Sequence, residues 1–245
     1  MTKKYEVTNN RRTKLLPKII LGQLGAALVI AFLAYGIIFY AQGNRYDFKT
    51  FKVLKTGILL LSMTPKDAKI TINKKDYDWQ SGETMNFPPA KYEIVVSKDS
   101  YTPWSTNIKI EPSSVNIYNN VVLFLGQPEV DTLTDQSKIS LLNTPSDILA
   151  NSAAASLNYS DYEIWVNQNL VTRFSTPIRR AIWYSDQKHI VYQQGSEIRI
   201  LEISGTNDAL LVTLSSDKTT NFVVGNNGTE LYFVDGGVNK IARIR

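Results

Sequence analysis

The alternation of apolar and polar residues predicts short β-strands through much of the chain. Residues 69–73 read Lys-Ile-Thr-Ile-Asn, and the same period of two returns at residues 92–97 and 107–111. Because successive side chains of a strand point to opposite faces, this period is typical of half-buried strands. Residues 115–124 start with the same alternation and end in an apolar run. Short strands separated by turns, with no helical pattern, predict a small antiparallel β-sandwich over residues 56–126.

A second β region follows, with strands at a longer spacing. Residues 181–203 are followed about 41 positions later by a similar stretch, residues 221–244. The matched apolar positions are Ile190 with Leu231 and Tyr192 with Phe233. Four short strands at a period of about forty are the pattern of a propeller blade, and residues 161–245 resemble TolB-type or WD-type repeats. The intervening residues 127–160, rich in small and polar side chains, are predicted to be a linker.

These repeats are too few for a closed ring. Closed propellers have about four to eight blades, whereas residues 161–245 have room for about two or three. The alternatives are an open sheet that remains from a larger propeller, pairing with other copies as a homo-oligomer, or a truncated reading frame. The predicted fold class is therefore an all-β soluble region, a small antiparallel sandwich plus incomplete propeller-like blades, with one N-terminal transmembrane α-helix.

That helix is predicted at residues 19–43, an apolar run with no charged side chain. A helix of about 23 residues spans roughly 35 Å, enough to cross a hydrocarbon core of about 30 Å. Tyr35 and Tyr40 lie toward its far end, where aromatic rings favour the membrane interface. Two alternatives fit less well. A cleaved signal peptide has a shorter apolar region of about 7–15 residues. A buried core helix is less favoured because the run lacks the polar stripe of an amphipathic helix.

The net charge of +5 belongs to the segment before this run. Residues 1–18 contain six of the 27 Lys and Arg residues and one acid, Glu6, whereas the rest of the chain holds 21 basic and 21 acidic residues. A basic tail predicts that the N-terminus stays in the cytoplasm and that the C-terminal region is extracytoplasmic. A neutral body gives no charge signal for nucleic-acid binding, so no nucleic-acid partner is expected.

A family resemblance covers about residues 57–126. Residues 62–68 read Ser-Met-Thr-Pro-Lys-Asp-Ala, residues 89–92 read Pro-Ala-Lys-Tyr, and residues 100–104 read Ser-Tyr-Thr-Pro-Trp. These segments resemble the PEGA domain, with Pro-Lys-Asp-Ala in place of the name-giving tetrapeptide. The departures from the family pattern are Asp67, Ala90 and Ser100. The resemblance implies an extracytoplasmic β-sandwich attached to a membrane helix, with a binding role in the cell envelope and no catalytic residues to carry over.

The sequence offers little catalytic chemistry. It contains no cysteine and one histidine, His189, so thiol nucleophiles and His/Cys metal sites lack their residues. A Ser-His-Asp triad could use only that imidazole, and His189 is interpreted as a strand-edge residue. We therefore predict no catalytic, cofactor-binding or metal-binding residue and no cofactor. Trp79 lies in a polar turn and is the one candidate binding residue, because a loop aromatic can stack on a sugar or anchor a partner. The tryptophans assigned to core packing are Trp104, Trp165 and Trp183.

Together these features predict a non-enzymatic binding or scaffolding protein of the cytoplasmic membrane. Residues 19–43 would anchor it in the lipid bilayer, and its outer part would engage envelope polysaccharides or surface proteins. The alternative is a single-pass signalling or sensor subunit. Because residues 1–18 are too few for a folded output domain, such a subunit would need a cytoplasmic partner. A hydrolase that uses carboxylates is the third alternative.

Overall fold

The computed structural model describes residues 12–47, 51–143 and 155–245. It is mostly β with one apolar helix near the N-terminus, and none of the sheets in these three ranges closes into a barrel. The predicted fold class is confirmed. Most of the predicted basic tail, residues 1–11, and part of the predicted linker, residues 144–154, lie outside the described residues.

The N-terminal helix, α1, runs over Arg12–Ala41. Within it, the 22-residue stretch Ile20–Ala41 contains an 18-residue window with a mean hydropathy of 2.2. The stretch is long and apolar enough to cross a membrane, although a signal sequence passes the same test. Its apolar side chains are exposed, Phe32 by 76%. A core helix would bury one face against the rest of the protein. The alternative that α1 is a buried core helix is therefore wrong. Beyond the helix end, Gly43 adopts a φ of 76°, a left-handed conformation that costs glycine little.

The next part of the chain forms three small sheets. Its strands are β1 (Asn44–Asp47), β2 (Lys52–Lys55), β3 (Gly57–Thr64), β4 (Lys69–Ile72), β5 (Lys75–Tyr77), β6 (Thr84–Phe87), β7 (Ala90–Ser97), β8 (Trp104–Ile110) and β9 (Val115–Val122). β1 pairs with β2, the second sheet has the order β5-β4-β7-β8, and the third has the order β6-β3-β9. The predicted alternation is present, because Ile70, Ile72, Ile94 and Val96 are all at most 2% exposed.

Three more sheets form the C-terminal part. Their strands are β10 (Val130–Thr132), β11 (Leu157–Tyr159), β12 (Glu163–Val166), β13 (Asn169–Arg173), β14 (Ile178–Trp183), β15 (His189–Gln194), β16 (Glu197–Glu202), β17 (Ala209–Thr213), β18 (Phe222–Gly225), β19 (Glu230–Asp235) and β20 (Val238–Arg243). The sheet orders are β11-β12-β13, β14-β15-β16-β17 and β10-β20-β19-β18. A short helix, α2 (Gln136–Leu142), lies between β10 and β11, and Asp135 caps it by accepting a hydrogen bond from the Ser137 amide.

The repeat seen in the sequence corresponds to the second strands of two successive sheets. Ile190 and Tyr192 on β15 and their counterparts Leu231 and Phe233 on β19 are all at most 1% exposed. They join two apolar clusters. The first cluster contains side chains of β15, β16, β17, β18, β19 and β20. In the second cluster, side chains of β14, β15 and β16 pack against residues of β11, β12 and β13. The sheets therefore stack through their apolar faces, as propeller blades do.

The described residues fall into two compact units. The first contains α1, β1, β2 and the start of β3, together with residues 85–90 and 109–116. The second contains residues 60–84 and 91–108 and the described part of 117–245. The predicted domain limits at residues 56–126, 127–160 and 161–245 stay predictions. In its described part, the predicted linker contains β10, α2 and β11.

Candidate functional site

Strand β9 borders a groove in the second unit. We call it the β9 groove and define it by residues 117–121 with Trp104, Lys188, Glu202 and Ile203, which line a cavity of about 170 Å³. An adjoining crevice of about 360 Å³ shares residues 119–121. The lining includes five consecutive β9 residues, and side chains of a strand alternate between its two faces. The groove therefore follows the edge of the strand rather than one face, and β9 is an edge strand of its sheet.

A hydrogen bond between Trp104 and Glu202 forms one wall of the groove. Trp104 Nε1 donates to Glu202 Oε1 at 2.5 Å, and the indole is only 4% exposed. The other carboxylate oxygen accepts from Ser204 Oγ at 3.0 Å and from Thr206 Oγ1 at 3.1 Å. The Tyr118 ring meets the indole edge-on, with ring centroids 5.8 Å apart. Because each carboxylate oxygen has a donor, the orientation of Glu202 is fixed.

Two asparagines and a lysine supply polar groups along β9. Lys188 Nζ donates to Asn119 Oδ1 at 3.1 Å, and both residues are exposed. Asn120 is half-buried beside them and also lines the groove. Amide side chains offer both donors and acceptors. The groove therefore presents hydrogen-bonding groups between two exposed apolar side chains, Ile117 at 58% and Ile203 at 42%.

His189 lies at the base of the groove and is 3% exposed. Its Nδ1 lies 2.7 Å from Asp186 Oδ2, and its backbone amide donates to Asp186 Oδ1 at 3.0 Å. Burial raises the pKa of Asp186, whereas hydrogen bonds from the His189 ring and from backbone amides lower it. The lowering effects together are larger, so the pKa of Asp186 lies below its ordinary value. The pair closes the turn before β15, consistent with the predicted strand-edge role.

Trp79, the predicted binding residue, is 5% exposed, and its Nε1 donates to the Glu83 carbonyl at 3.3 Å. Little of its ring is accessible to a sugar. Its binding role stays a prediction, and Trp79 is not among the residues that line the β9 groove. Of the three tryptophans assigned to core packing, Trp104 is buried, while Trp165 and Trp183 are half-buried.

Sequence reasoning did not identify Glu202 or Lys188. Glu202 lies 98 residues from Trp104 and Lys188 lies 69 residues from Asn119, so no local spacing connects them. Within the three described ranges, no group of three His, Cys, Asp or Glu side chains is placed to hold a metal ion. The chemistry that the groove offers is hydrogen bonding and apolar contact.

Among the comparisons with known proteins, only the search of solved structures gives matches. No family model matches the chain, so the resemblance to the PEGA domain has no support from that comparison. No curated protein matches it. Among solved structures, TolB from Acinetobacter baumannii matches at 11% identity with a TM-score of 0.25, over 78% of this chain and 54% of that one. The chain thus spans about half the length of that structure, and a likeness this low carries no argument about fold or function.

Proposed function

We propose that this is a membrane-anchored, non-enzymatic binding protein whose β9 groove receives an extended segment of a cell-envelope or surface protein. The observation that carries the proposal is the edge position of β9 in its sheet, with consecutive residues 117–121 along the groove. An edge strand offers backbone N–H and C=O groups to which another strand can add. Successive side chains of the added segment would lie in turn on the face of Ile117 and Asn119 and on the face of Tyr118 and Asn120.

A protein segment fits the groove better than a polysaccharide. Sugar recognition commonly uses an accessible aromatic face, but Trp104 is 4% exposed and meets Tyr118 edge-on. A strand-like ligand needs backbone partners and apolar contacts instead, and the groove supplies both. The apolar helix α1 supports placement at a membrane. The basic residues of 1–18 support an extracytoplasmic position for the groove, because positive flanks are retained in the cytoplasm.

Position relative to the membrane is tested first, because the proposed partner depends on it. The chain has no cysteine, so Ser215→Cys and Thr2→Cys give single reporters. In intact cells, a membrane-impermeant maleimide is expected to label Ser215→Cys and not Thr2→Cys. Labelling of Thr2→Cys alone would place the β region in the cytoplasm and contradict the proposal.

The groove is tested by photo-crosslinking of the full chain in native membranes. A benzoylphenylalanine residue replaces Ile117, Ile203 or, as a control, Leu170, which has the same 42% exposure as Ile203. We expect Ile117 and Ile203 to give an adduct with the same protein and Leu170 to give none. Equal adducts at all three positions would indicate non-specific proximity, and adducts at Leu170 alone would move the binding surface away from β9.

A further inference from the structure

The hairpin formed by β1 and β2 is fixed to the end of α1. The Gly43 amide donates to the Tyr40 carbonyl at 3.0 Å, and the Gly43 carbonyl accepts both from the Thr56 amide at 3.0 Å and from Thr56 Oγ1 at 2.9 Å. The Arg45 guanidinium carbon lies 3.5 Å from the centre of the Tyr40 ring. These contacts tie Arg45 of β1 and the two residues that flank the hairpin, Gly43 and Thr56, to the last turn of the helix, all within the first unit.

One face of this hairpin is apolar and exposed. Tyr46 on β1 pairs directly with Val53 on β2, so their side chains share a face. They are 45% and 51% exposed, and Phe51, the turn residue that precedes β2, is 76% exposed. In water, this group of side chains would remain unburied. Adjacent on the same face is the exposed Lys55, opposite Asn44.

The hairpin begins close to the end of the apolar part of α1. The apolar part of α1 has 22 residues, about 33 Å of helix, so Ala41 comes to the edge of a hydrocarbon core of about 30 Å. β1 starts at Asn44, and three extended residues reach at most about 11 Å. The headgroup layer on each side is about 5–8 Å thick. The hairpin thus begins inside or next to that layer.

We propose that the β1–β2 hairpin lies in the interfacial layer of the bilayer that α1 crosses, with Phe51 and Val53 at the acyl boundary and Tyr46 and Lys55 among the headgroups. Aromatic side chains favour this layer, and a lysine there can meet anionic phosphates. The hairpin and helix would then form one rigid membrane-bound unit that limits tilt and rotation of the anchor. This inference rests on the anchoring part of the proposed function and not on the β9 groove.

The test uses the full chain, which has no cysteine, in vesicles of phosphatidylcholine and phosphatidylglycerol. An environment-sensitive nitrobenzoxadiazole dye is attached to Phe51→Cys or Val53→Cys. Lys74→Cys is the matched control, because Lys74 is also an exposed turn residue with positive φ, 65° against 53° for Phe51. Leu33→Cys reports insertion of α1. Quenching is measured with lipids that carry a nitroxide at a shallow acyl position.

We expect both hairpin positions to be quenched at least about threefold more than Lys74→Cys, because a side chain that enters the bilayer meets the acyl nitroxide and a side chain in water does not. Adding Phe51→Asp to Val53→Cys should reduce that quenching. If the hairpin positions match Lys74→Cys while Leu33→Cys is quenched, the hairpin proposal is wrong and the anchor stands. If Leu33→Cys is not quenched, both the anchor and the hairpin proposal are overturned.

Discussion

The loop between β17 and β18 depends on one buried side chain, which makes a sharp prediction. Gln193 is 0% exposed. Its Nε2 donates to the carbonyls of Lys218 at 2.8 Å and Gly195 at 3.0 Å, and its Oε1 accepts from the Thr220 amide at 3.0 Å. Gln193→Leu keeps similar volume and removes all three bonds. Each is worth about 0.5–1.5 kcal/mol net, so we expect a loss of about 2–4 kcal/mol.

The neighbouring Gln194 gives a matched control. Its Nε2 donates to the Thr176 carbonyl at 3.1 Å in an exposed setting, so Gln194→Leu should cost less than about 1 kcal/mol. Urea unfolding of both variants in detergent measures the difference. Hydrogen exchange of residues 214–221 shows where it arises, because the Thr220 amide should lose protection only in Gln193→Leu. If the two variants are equally stable, or if exchange rises elsewhere and not in this loop, the reasoning is refuted.

Two further predictions concern the two ends of β19. Hydrogen bonds from Lys240 and Ser215 lower the pKa of Asp235 to about 2, compared with about 3.9 in the unfolded chain. The ionised Asp235 therefore stabilises the folded protein above about pH 4, and this stabilisation is lost as the pH falls toward 2. Asp235→Asn should flatten the acid side of a stability–pH curve in that window, and an unchanged curve would contradict the assignment. Gly228 and Gly237 have φ of 87° and 81°, but only a Cβ at Gly228 would overlap Tyr184 and Ser185. Gly228→Ala should thus lower thermal stability by about 1–3 kcal/mol more than Gly237→Ala, and equal effects would show that backbone strain alone matters.

The local features of this fold were predictable because they depend on local periodicity. The alternation of apolar and polar residues with a period of two predicts strands that contain Ile70, Ile72, Ile94 and Val96, and each of these side chains is buried. The period of about 41 placed Ile190 and Leu231 at equivalent positions of two sheets, because each sheet repeats the same apolar face. A continuous apolar run likewise located α1.

β10 was not predictable in this way. Its three residues, Val130–Thr132, are all exposed and have no alternation of burial. They form a strand because Asp131 pairs with Ile241 and Val130 with Ala242, more than one hundred positions further along the chain. Backbone hydrogen bonds define such a strand, and backbone groups are the same in every residue. The helix α2 had a local signal, since Asp135 precedes it as an N-cap.

The candidate site was less predictable than the fold, for the same physical reason. Trp104 was correctly assigned to core packing, yet its partner Glu202 is 98 residues away. Trp79 was chosen because its neighbours are polar, but polar neighbours do not determine burial, and the ring is 5% exposed. The side chains that form a binding groove come from segments that are distant in the sequence. A single sequence shows which polar and aromatic residues are present, but not which of them the fold brings into contact.

The position of β10 also bears on how this chain could pair with another. An unpaired outer strand of a blade-like sheet is a template for strand addition. In the sheet that contains β20, this chain supplies that strand itself, since β10 pairs with β20 and Ala242 is fully buried beneath it. Strand addition by a second copy at β20 would have to displace β10. Strand β9 differs, because its edge borders a groove lined by Asn119, Asn120 and Lys188, polar groups that can meet an incoming backbone. Between β9 and β20, β9 is therefore the strand whose edge is suited to a partner.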